Sequence, residues 1–254
     1  MAETIGGGDE GDLMLGMAGD DEIAGHKGYD WLSGGDGFDV IRGGRGSDKL
    51  YGAAADDLIN GYIGADTILG GVGDDTISGG FGADDLHGGE GIDTASYRFS
   101  AMGVPVSLVE GVGAGGQAEG DVPTEFENLV GSTSDDVLVG DEGDNALAGL
   151  TGDDVLRGRR GDDALDGGMG DDFMVGGLGA DTFVFSDADF GRDVVADWTD
   201  GEDALDFSAL GFDFADFTVS QAGADAVLTL ASDPDASLTL LATNSGVIDQ
   251  FDFI

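Results

Sequence analysis

The sequence predicts an all-β protein: a parallel β-solenoid of nonapeptide repeats in two blocks, followed by a C-terminal antiparallel β cap. Three observations carry this expectation. A nine-residue period governs most of the 254 residues. Gly and Asp recur at fixed places within it. One large apolar side chain per period keeps a constant phase, as stacked repeats with a shared core require.

Ten rows of nine run without a gap from Gly7 to Ser96, and six more run from Gly131 to Val184. Position 1 is Gly in every row. Position 6 reads Asp12, Asp21, Asp30, Asp39, Asp48, Asp57, Asp66, Asp75, Asp84 and Asp93 in the first block. In the second it reads Asp136, Asn145, Asp154, Asp163, Asp172 and Asp181. Position 8 is apolar throughout, from Met14, Ile23 and Leu32 to Leu165, Met174 and Phe183.

Positions 7 to 9 read as a three-residue strand whose alternation puts only position 8 on the inner face. Positions 1 to 6 read as a turn, with Gly at 1, often at 2 and usually at 4 allowing close backbone approach. Two rows make one coil of eighteen residues. Strands then stack in two parallel sheets with the position 8 side chains between them. That core is one side chain thick per row, and charge opposes it.

Asp and Glu number 53 against 9 Lys and Arg, a formal net charge of −44. Residues eighteen apart lie about 4.8 Å apart across a parallel sheet, so Asp30 stacks over Asp48 and Asp39 over Asp57. Each bare pair repels by about 1 kcal/mol even in water, and by more where water is excluded. Calcium removes the difficulty, because it takes about six to eight oxygens from carboxylates and backbone carbonyls in tolerant geometry. Solvated acidic turns with Asp in an Asx-turn are the metal-free alternative. They do not call for Asp at one fixed position in fifteen of sixteen rows. The same charge sets aside nucleic acid and anionic membrane as partners, since both are polyanions.

Rows such as GGDGFDVIR, GGRGSDKLY and GGLGADTFV resemble the nonapeptide G-G-x-G-x-D-x-U-x (U, a large apolar residue) of RTX, or repeats-in-toxin, hemolysin-type calcium-binding proteins. The resemblance covers 144 of 254 residues. It implies a right-handed parallel β-roll in which turns of rows n and n+2 sandwich one ion. Carbonyls 2 and 4 with the Asp of one row would meet carbonyls 1 and 3 with the Asp of the next coil. The sixteen position 6 residues thereby become ligands. So do the carbonyls of Gly25, Gly28, Gly34, Gly35, Gly37, Gly43, Gly44, Gly46, Gly61, Gly64, Gly70, Gly71, Gly73, Gly79, Gly80 and Gly82 in the first block. In the second block the same role falls to Gly149, Gly152, Gly158, Gly161, Gly167, Gly168, Gly170, Gly176, Gly177 and Gly179. About twelve calcium ions follow, about eight and about four per block. Asn145 weakens its own site. Glu10 and Ala53–Ala55 replace Gly, making rows 7–15 and 52–60 the turns that depart most from the pattern.

Outside the rows, the expected organisation is a first roll block at 1–96, a connector hairpin at 97–130, a second block at 131–184 and a cap at 185–254. In the connector, Tyr97–Phe99 and Val104–Val109 read as strands, and Gly111–Gly120 as a loop. The stretch EFENLVG leads back into register. The connector resembles the one between roll blocks in secreted RTX proteins such as the serralysin C-terminal domain, and the segment Asp193–Phe207 resembles the capping segment after serralysin-type rolls. Phe217–Ser220, Val227–Leu230 and Leu238–Leu241 read as antiparallel cap strands, because an open solenoid end needs covering. The tail Val247–Ile254 mixes acidic and apolar residues and resembles the uncleaved signal of type I secretion substrates. By this resemblance the protein is bacterial, secreted and extracellular, passing unfolded through a type I exporter and folding on calcium outside.

Other functions find little support. There is no Cys, so no disulfide, thiolate site or thiol nucleophile exists. His26 and His87 are the only histidines, no H-E-x-x-H occurs, and no Ser has a His partner for a triad. The expectation is therefore a non-catalytic module. Met1–Gly11 shows no basic, apolar leader, and no apolar run is long enough to span a membrane. An ice-binding face would need a repeating Thr or Asn row, and positions 3 and 5 are mixed. Two alternatives stay open. Arg42, Arg45 and Lys49, with Arg157, Arg159 and Arg160, form clusters that an anionic polysaccharide would suit, as in the resembling R-modules of alginate epimerases; local relief of negative charge is the simpler account and the one preferred. Glu3 and Ile5 fall on positions 6 and 8 of a preceding partial row, as in the C-terminal part of a larger secreted enzyme or toxin.

Overall fold

The computed structural model describes residues 1–243, 246–250 and 252–254. It forms two compact units, Met1–Val130 and Gly131–Ile254. Among the described residues there is no α-helix, and thus none long and apolar enough to cross a membrane.

In the first unit, Thr4–Gly6, Glu22–Lys27, Val40–Arg45, Leu58–Ile63, Thr76–Phe81, Thr94–Ser96 and Asn128–Val130 form one parallel sheet. Leu13–Ala18, Trp31–Asp36, Lys49–Ala54, Thr67–Val72, Asp85–Glu90 and Val122–Thr124 form the other. Successive rows alternate between sheets, so paired residues differ by eighteen: Ile23 lies opposite Ile41, and Leu32 opposite Leu50. From Ile23 to Ala95, every position 8 side chain is fully buried. This is the one-residue-thick core that the period predicts.

Strand length differs from the sequence reading. Most strands have six residues, spanning positions 7 to 9 and positions 1 to 3 of the next row. Position 1 as well as position 8 faces inward, and only Gly allows the backbone itself to line the interior there.

The connector is only partly the expected hairpin. Pro105–Ser107 pairs antiparallel with Val112–Gly113, but Tyr97–Phe99 is a turn, with Ser100 donating its N–H to the Tyr97 carbonyl at 2.8 Å. Tyr97 is buried, and its N–H donates to the Val130 carbonyl at 2.8 Å as the last ladder bond before the chain turns away. The connector then adds two strands to the roll. Val122–Thr124 pairs in parallel with Asp85–His87, and Asn128–Val130 with Thr94–Ser96.

In the second unit, Ala146–Thr151, Ala164–Met169, Thr182–Val184 and Ala204–Asp206 stack in one sheet. Val137–Val139, Val155–Arg160, Phe173–Leu178 and Arg192–Val195 stack in the other. Ser237–Leu240 then pairs in parallel with Arg192–Val195 and antiparallel with Asp225–Leu230, which pairs antiparallel with Phe217–Ala222. Aromatic side chains close this end. Phe207 stacks on Phe185 at 4.3 Å between ring centroids and meets Phe190 edge-on at 5.9 Å. The tail reaches the same place: Leu205 donates to the Asp252 carbonyl at 2.8 Å, and Ile254 to the Leu205 carbonyl at 3.1 Å. Phe251, within the tail segment 247–254, lies outside the described residues.

Candidate metal centres in the stacked turns

Each coil brings position 6 of one row beneath position 6 of the next but one. The backbone N–H of Asp12 donates to Oδ1 of Asp30, that of Asp30 to Asp48, and that of Asp48 to Asp66, at 2.7–2.8 Å. The second ladder of this unit runs from Asp21 through Asp39, Asp57 and Asp75 to Asp93 at 2.7–2.8 Å. In the second unit Asp136 donates to Asp154 and Asp154 to Asp172, while Asn145 donates to Asp163 and Asp163 to Asp181. One carboxylate oxygen per row is thereby satisfied.

The other oxygen is not. Oδ2 of Asp21, Asp30, Asp39, Asp48, Asp57, Asp66, Asp75, Asp84, Asp93, Asp154, Asp163 and Asp172 is buried without a hydrogen-bond partner. Leaving an ionised oxygen so placed is costly unless a cation or proton joins it. Its neighbours are oxygens too. A methyl group on Gly43 would lie 2.6 Å from Asp48 Oδ2 and 2.9 Å from the Gly61 carbonyl oxygen, so both atoms converge on one small space. Likewise the Gly19 carbonyl oxygen lies 2.7 Å from where a side chain on Gly37 would begin. The Oδ2 oxygens of the open turns thus lie near backbone carbonyl oxygens with no hydrogen-bond donor of their own.

Burial is the first cause of the resulting shifts in proton affinity. It pushes Asp57, Asp66, Asp154 and Asp163 up to about 7, and Asp75, Asp93, Asp172 and Asp181 up to about 6. Repulsion from stacked aspartates adds to it, and the backbone N–H bond opposes it.

The turn conformation sorts the rows. In rows 16–24 to 88–96 and 149–157 to 176–184, positions 2 and 4 both have positive φ. Gly fills many of these places, yet Met17, His26, Ala53, Ala55, Tyr62, Leu150 and Arg159 adopt the same conformation. Each costs roughly 1–2 kcal/mol relative to Gly. Row 52–60 therefore keeps the open turn despite its Ala residues. Rows 7–15, 131–139 and 140–148 close on themselves instead. Gly8 donates to Asp12 Oδ2 at 2.7 Å, Ser132 to Asp136 Oδ2 at 2.5 Å, and Asp141 to Asn145 Oδ1 at 2.8 Å. Glu10 and Ser134 stand where an open turn has Gly, and Asp141 holds Gly143 in an Asx-turn at 2.8 Å. Asp12, Asp136 and Asn145 are thus in the ladder but outside the oxygen-lined spaces.

Four ladder positions come from residues outside the rows, which the sequence reading missed. Asp84 donates to Asp121 Oδ1 at 2.9 Å and Asp93 to Glu127 Oε2 at 2.8 Å. Asp172 donates to Asp193 Oδ1 at 2.9 Å and Asp181 to Asp203 Oδ1 at 3.0 Å. A faint signal was present. Asp121-Val-Pro123, Glu127-Asn-Leu129, Asp193-Val-Val195 and Asp203-Ala-Leu205 keep the acid and the buried apolar residue two places on, without the Gly turn.

Among the described residues no cluster of three or more His, Cys, Asp or Glu side chains is arranged to hold a metal. A carboxylate Oδ2 beside backbone carbonyl oxygens is a set of hard oxygen donors that fits calcium and suits neither zinc nor copper.

These features define a parallel β-roll whose repeats are built around oxygen-lined metal spaces. The model of the RTX calcium-binding nonapeptide repeat (4 copies) matches residues 6–41, 33–68, 60–95, 126–156 and 148–183, and the chain belongs to this family. No curated protein sequence matches it. Among solved structures it is similar to the AlgE6R3 subunit of a mannuronan C5-epimerase from Azotobacter vinelandii, at 31% identity and TM-score 0.41 over 48% of this chain and 78% of that one. It is also similar to the extracellular lipase LipA from Serratia marcescens, at 19% identity and TM-score 0.41. That match covers 92% of this chain, which spans 44% of the lipase.

Proposed function

We propose that this chain is an exported, non-catalytic calcium-binding module that takes up its roll only when calcium enters the stacked turns. The observation that carries the reading is the set of twelve buried position 6 Oδ2 oxygens, among the described residues, that lack any partner. Bound calcium supplies the positive charge that lets these carboxylates ionise side by side. The position 6 aspartates of the open rows hold it, with the carbonyls of the Gly residues at positions 1 to 4. Twelve such oxygens correspond to about twelve ions. Where calcium is scarce the chain repels itself and stays extended, as export through a type I exporter requires. At extracellular calcium levels, binding to the folded form alone drives folding.

Far-UV circular dichroism with calcium and with chelator tests the folding claim; strand signal indifferent to chelator contradicts it. Deleting Val247–Ile254 tests the export claim, and undiminished secretion through a type I exporter contradicts it.

A second reading has one observation in its favour. On the first unit, Lys27, Arg42, Arg45, His26 and Tyr62 line a groove of about 590 Å³, in a chain with only nine Lys and Arg. Cations beside an aromatic ring suit an acidic polysaccharide. Lys27 pairs with Asp9 at 2.9 Å and Arg42 with Glu22 at 2.5 Å, while Arg159 and Arg160 both face Glu142, which favours the charge-relief account for those residues. Affinity electrophoresis on an acidic polysaccharide, with Arg42 and Arg45 changed to Ala, separates the two.

A further inference from the structure

We propose that the connector and the outward face of the first unit's sheet form a cleft for a neutral sugar ring, lined by the rings of Tyr62, Phe81 and Phe99 and by Asn60 and Ser78. Beyond requiring a folded roll, the inference is independent of what fills the turns.

The strand register builds the cleft. Asn60 lies opposite Ser78, Tyr62 opposite Gly80, and Ile63 opposite Phe81. Gly44 lies opposite Tyr62 on its other side. With Gly on both flanks, neither face of the Tyr62 ring is covered by a side chain opposite it. Tyr62 also holds a φ of 72°, a conformation costly to any residue with a side chain, and strain of this kind gathers at ligand sites. Phe99 and Gln117 of the connector line the same space, which measures about 270 Å³. Tyr62, Ile63, Phe81 and Phe99 are 43–66% exposed, an apolar patch on a chain of net charge −44.

None of the described residues lining the cleft is charged, although Asp, Glu, Lys and Arg make up 24% of the chain. An ionic ligand finds no partner there, and the field of the whole chain repels anions. The polar groups are amides and a hydroxyl. Asn60 Oδ1 accepts the Tyr62 N–H at 2.9 Å, a bond that only the oxygen can make, so the amide NH2 is left to donate. Gln117 Oε1 is buried with no partner, and the torsion that turns it is soft. Apolar peptide side chains would leave these amides unpaired. A pyranose offers C–H faces to the aromatic rings and, at its rim, hydroxyls that both donate and accept. A neighbouring space of about 440 Å³ shares Asn60, Tyr62, Ser78 and Phe99 and has room for a second ring. The two cations there are engaged, Arg42 with Glu22 at 2.5 Å and Arg98 over the Phe99 ring at 5.7 Å. The groove of Lys27, Arg42 and Arg45 lies on the Gly44 side of Tyr62 and is a separate site.

The test is affinity electrophoresis of the full chain in calcium through gels containing dextran, mannan or galactan, each mobility referred to a gel without polysaccharide. Circular dichroism checks that every variant keeps the wild-type strand signal. At least one of the three glycans should retard the wild type. Phe99→Ala, at an exposed ring, and Asn60→Asp, which keeps the acceptor for the Tyr62 N–H, should each weaken that retardation about tenfold. Phe38→Ala, an exposed ring outside the cleft, should leave it unchanged, as should changing Arg42 and Arg45 to Ala. A wild type that no neutral glycan retards overturns the proposal, and so do Phe99 and Asn60 variants retarded like the wild type. Retardation lost only with Arg42 and Arg45 places the sugar in the other groove and overturns it as well. A wild type that sediments as a dimer, with Phe99→Ala a monomer and no glycan effect, shows a second copy in the cleft instead.

Discussion

Replacing Asp66 by Asn should act in opposite directions with and without calcium. Asp66 is buried, its Oδ1 accepts the Asp48 N–H at 2.7 Å, and its Oδ2 has no partner. Burial raises it from 3.8 to about 7. A carboxylate raised in the folded state stabilises that state fully only below about pH 3.8, and this contribution disappears as pH rises through about 7. At about 1.36 kcal/mol per pH unit, ionised Asp66 costs the metal-free roll on the order of 4 kcal/mol, or about half that once water reaching the turn screens it. The side-chain amide introduced by Asp66→Asn keeps an acceptor for the Asp48 N–H and removes the charge. In chelator at pH 8, with a stabilising osmolyte to populate the fold, guanidinium denaturation should show the variant more stable by about 2 kcal/mol. With calcium it should be less stable than wild type and should need several-fold more calcium at the folding midpoint. A variant less stable in chelator, or one with an unchanged calcium midpoint, refutes the reasoning.

Other consequences follow from the same turns. Metal-free protein should gain strand signal as pH falls from about 7 to about 6, where Asp57, Asp154 and Asp163 and then Asp75, Asp93 and Asp172 take up protons; loss of signal over that window contradicts this. Gly43→Ala should cost about 1–3 kcal/mol by thermal denaturation in calcium, since its methyl lies 2.6 Å from Asp48 Oδ2. Gly143→Ala, where the nearest atom is 3.5 Å away, should cost far less, and equal effects at both positions count against the proposed space. Ala53→Gly relieves a φ of 90° and should raise stability by about 1 kcal/mol; a clear loss contradicts the reading of that turn as strained.

Much of this architecture was legible because one residue type answers one demand at each position. Ile23, Leu32 and Ile41 had to be apolar to fill a core one side chain thick, and all are fully buried. The stacking of Asp30 on Asp48 followed from an eighteen-residue coil, and the 2.8 Å bond between them expresses it. Backbone-level events were hidden. The inward face of position 1 depends on an absent side chain, and the self-closing turns at Asp12, Asp136 and Asn145 depend on an N–H that almost every residue carries. Asp121, Glu127, Asp193 and Asp203 escaped for another reason. Their separations from the ladder partner, 37, 34, 21 and 22 residues, break the period that made the other acids visible.

Anomalous diffraction from crystals grown with calcium locates the ions themselves. Peaks should lie beside Oδ2 of the open rows from Asp21 to Asp93 and from Asp154 to Asp172, and be absent from the self-closed turns at Asp12, Asp136 and Asn145. A map without peaks between the stacked turns, or with peaks at closed and open turns alike, contradicts the account.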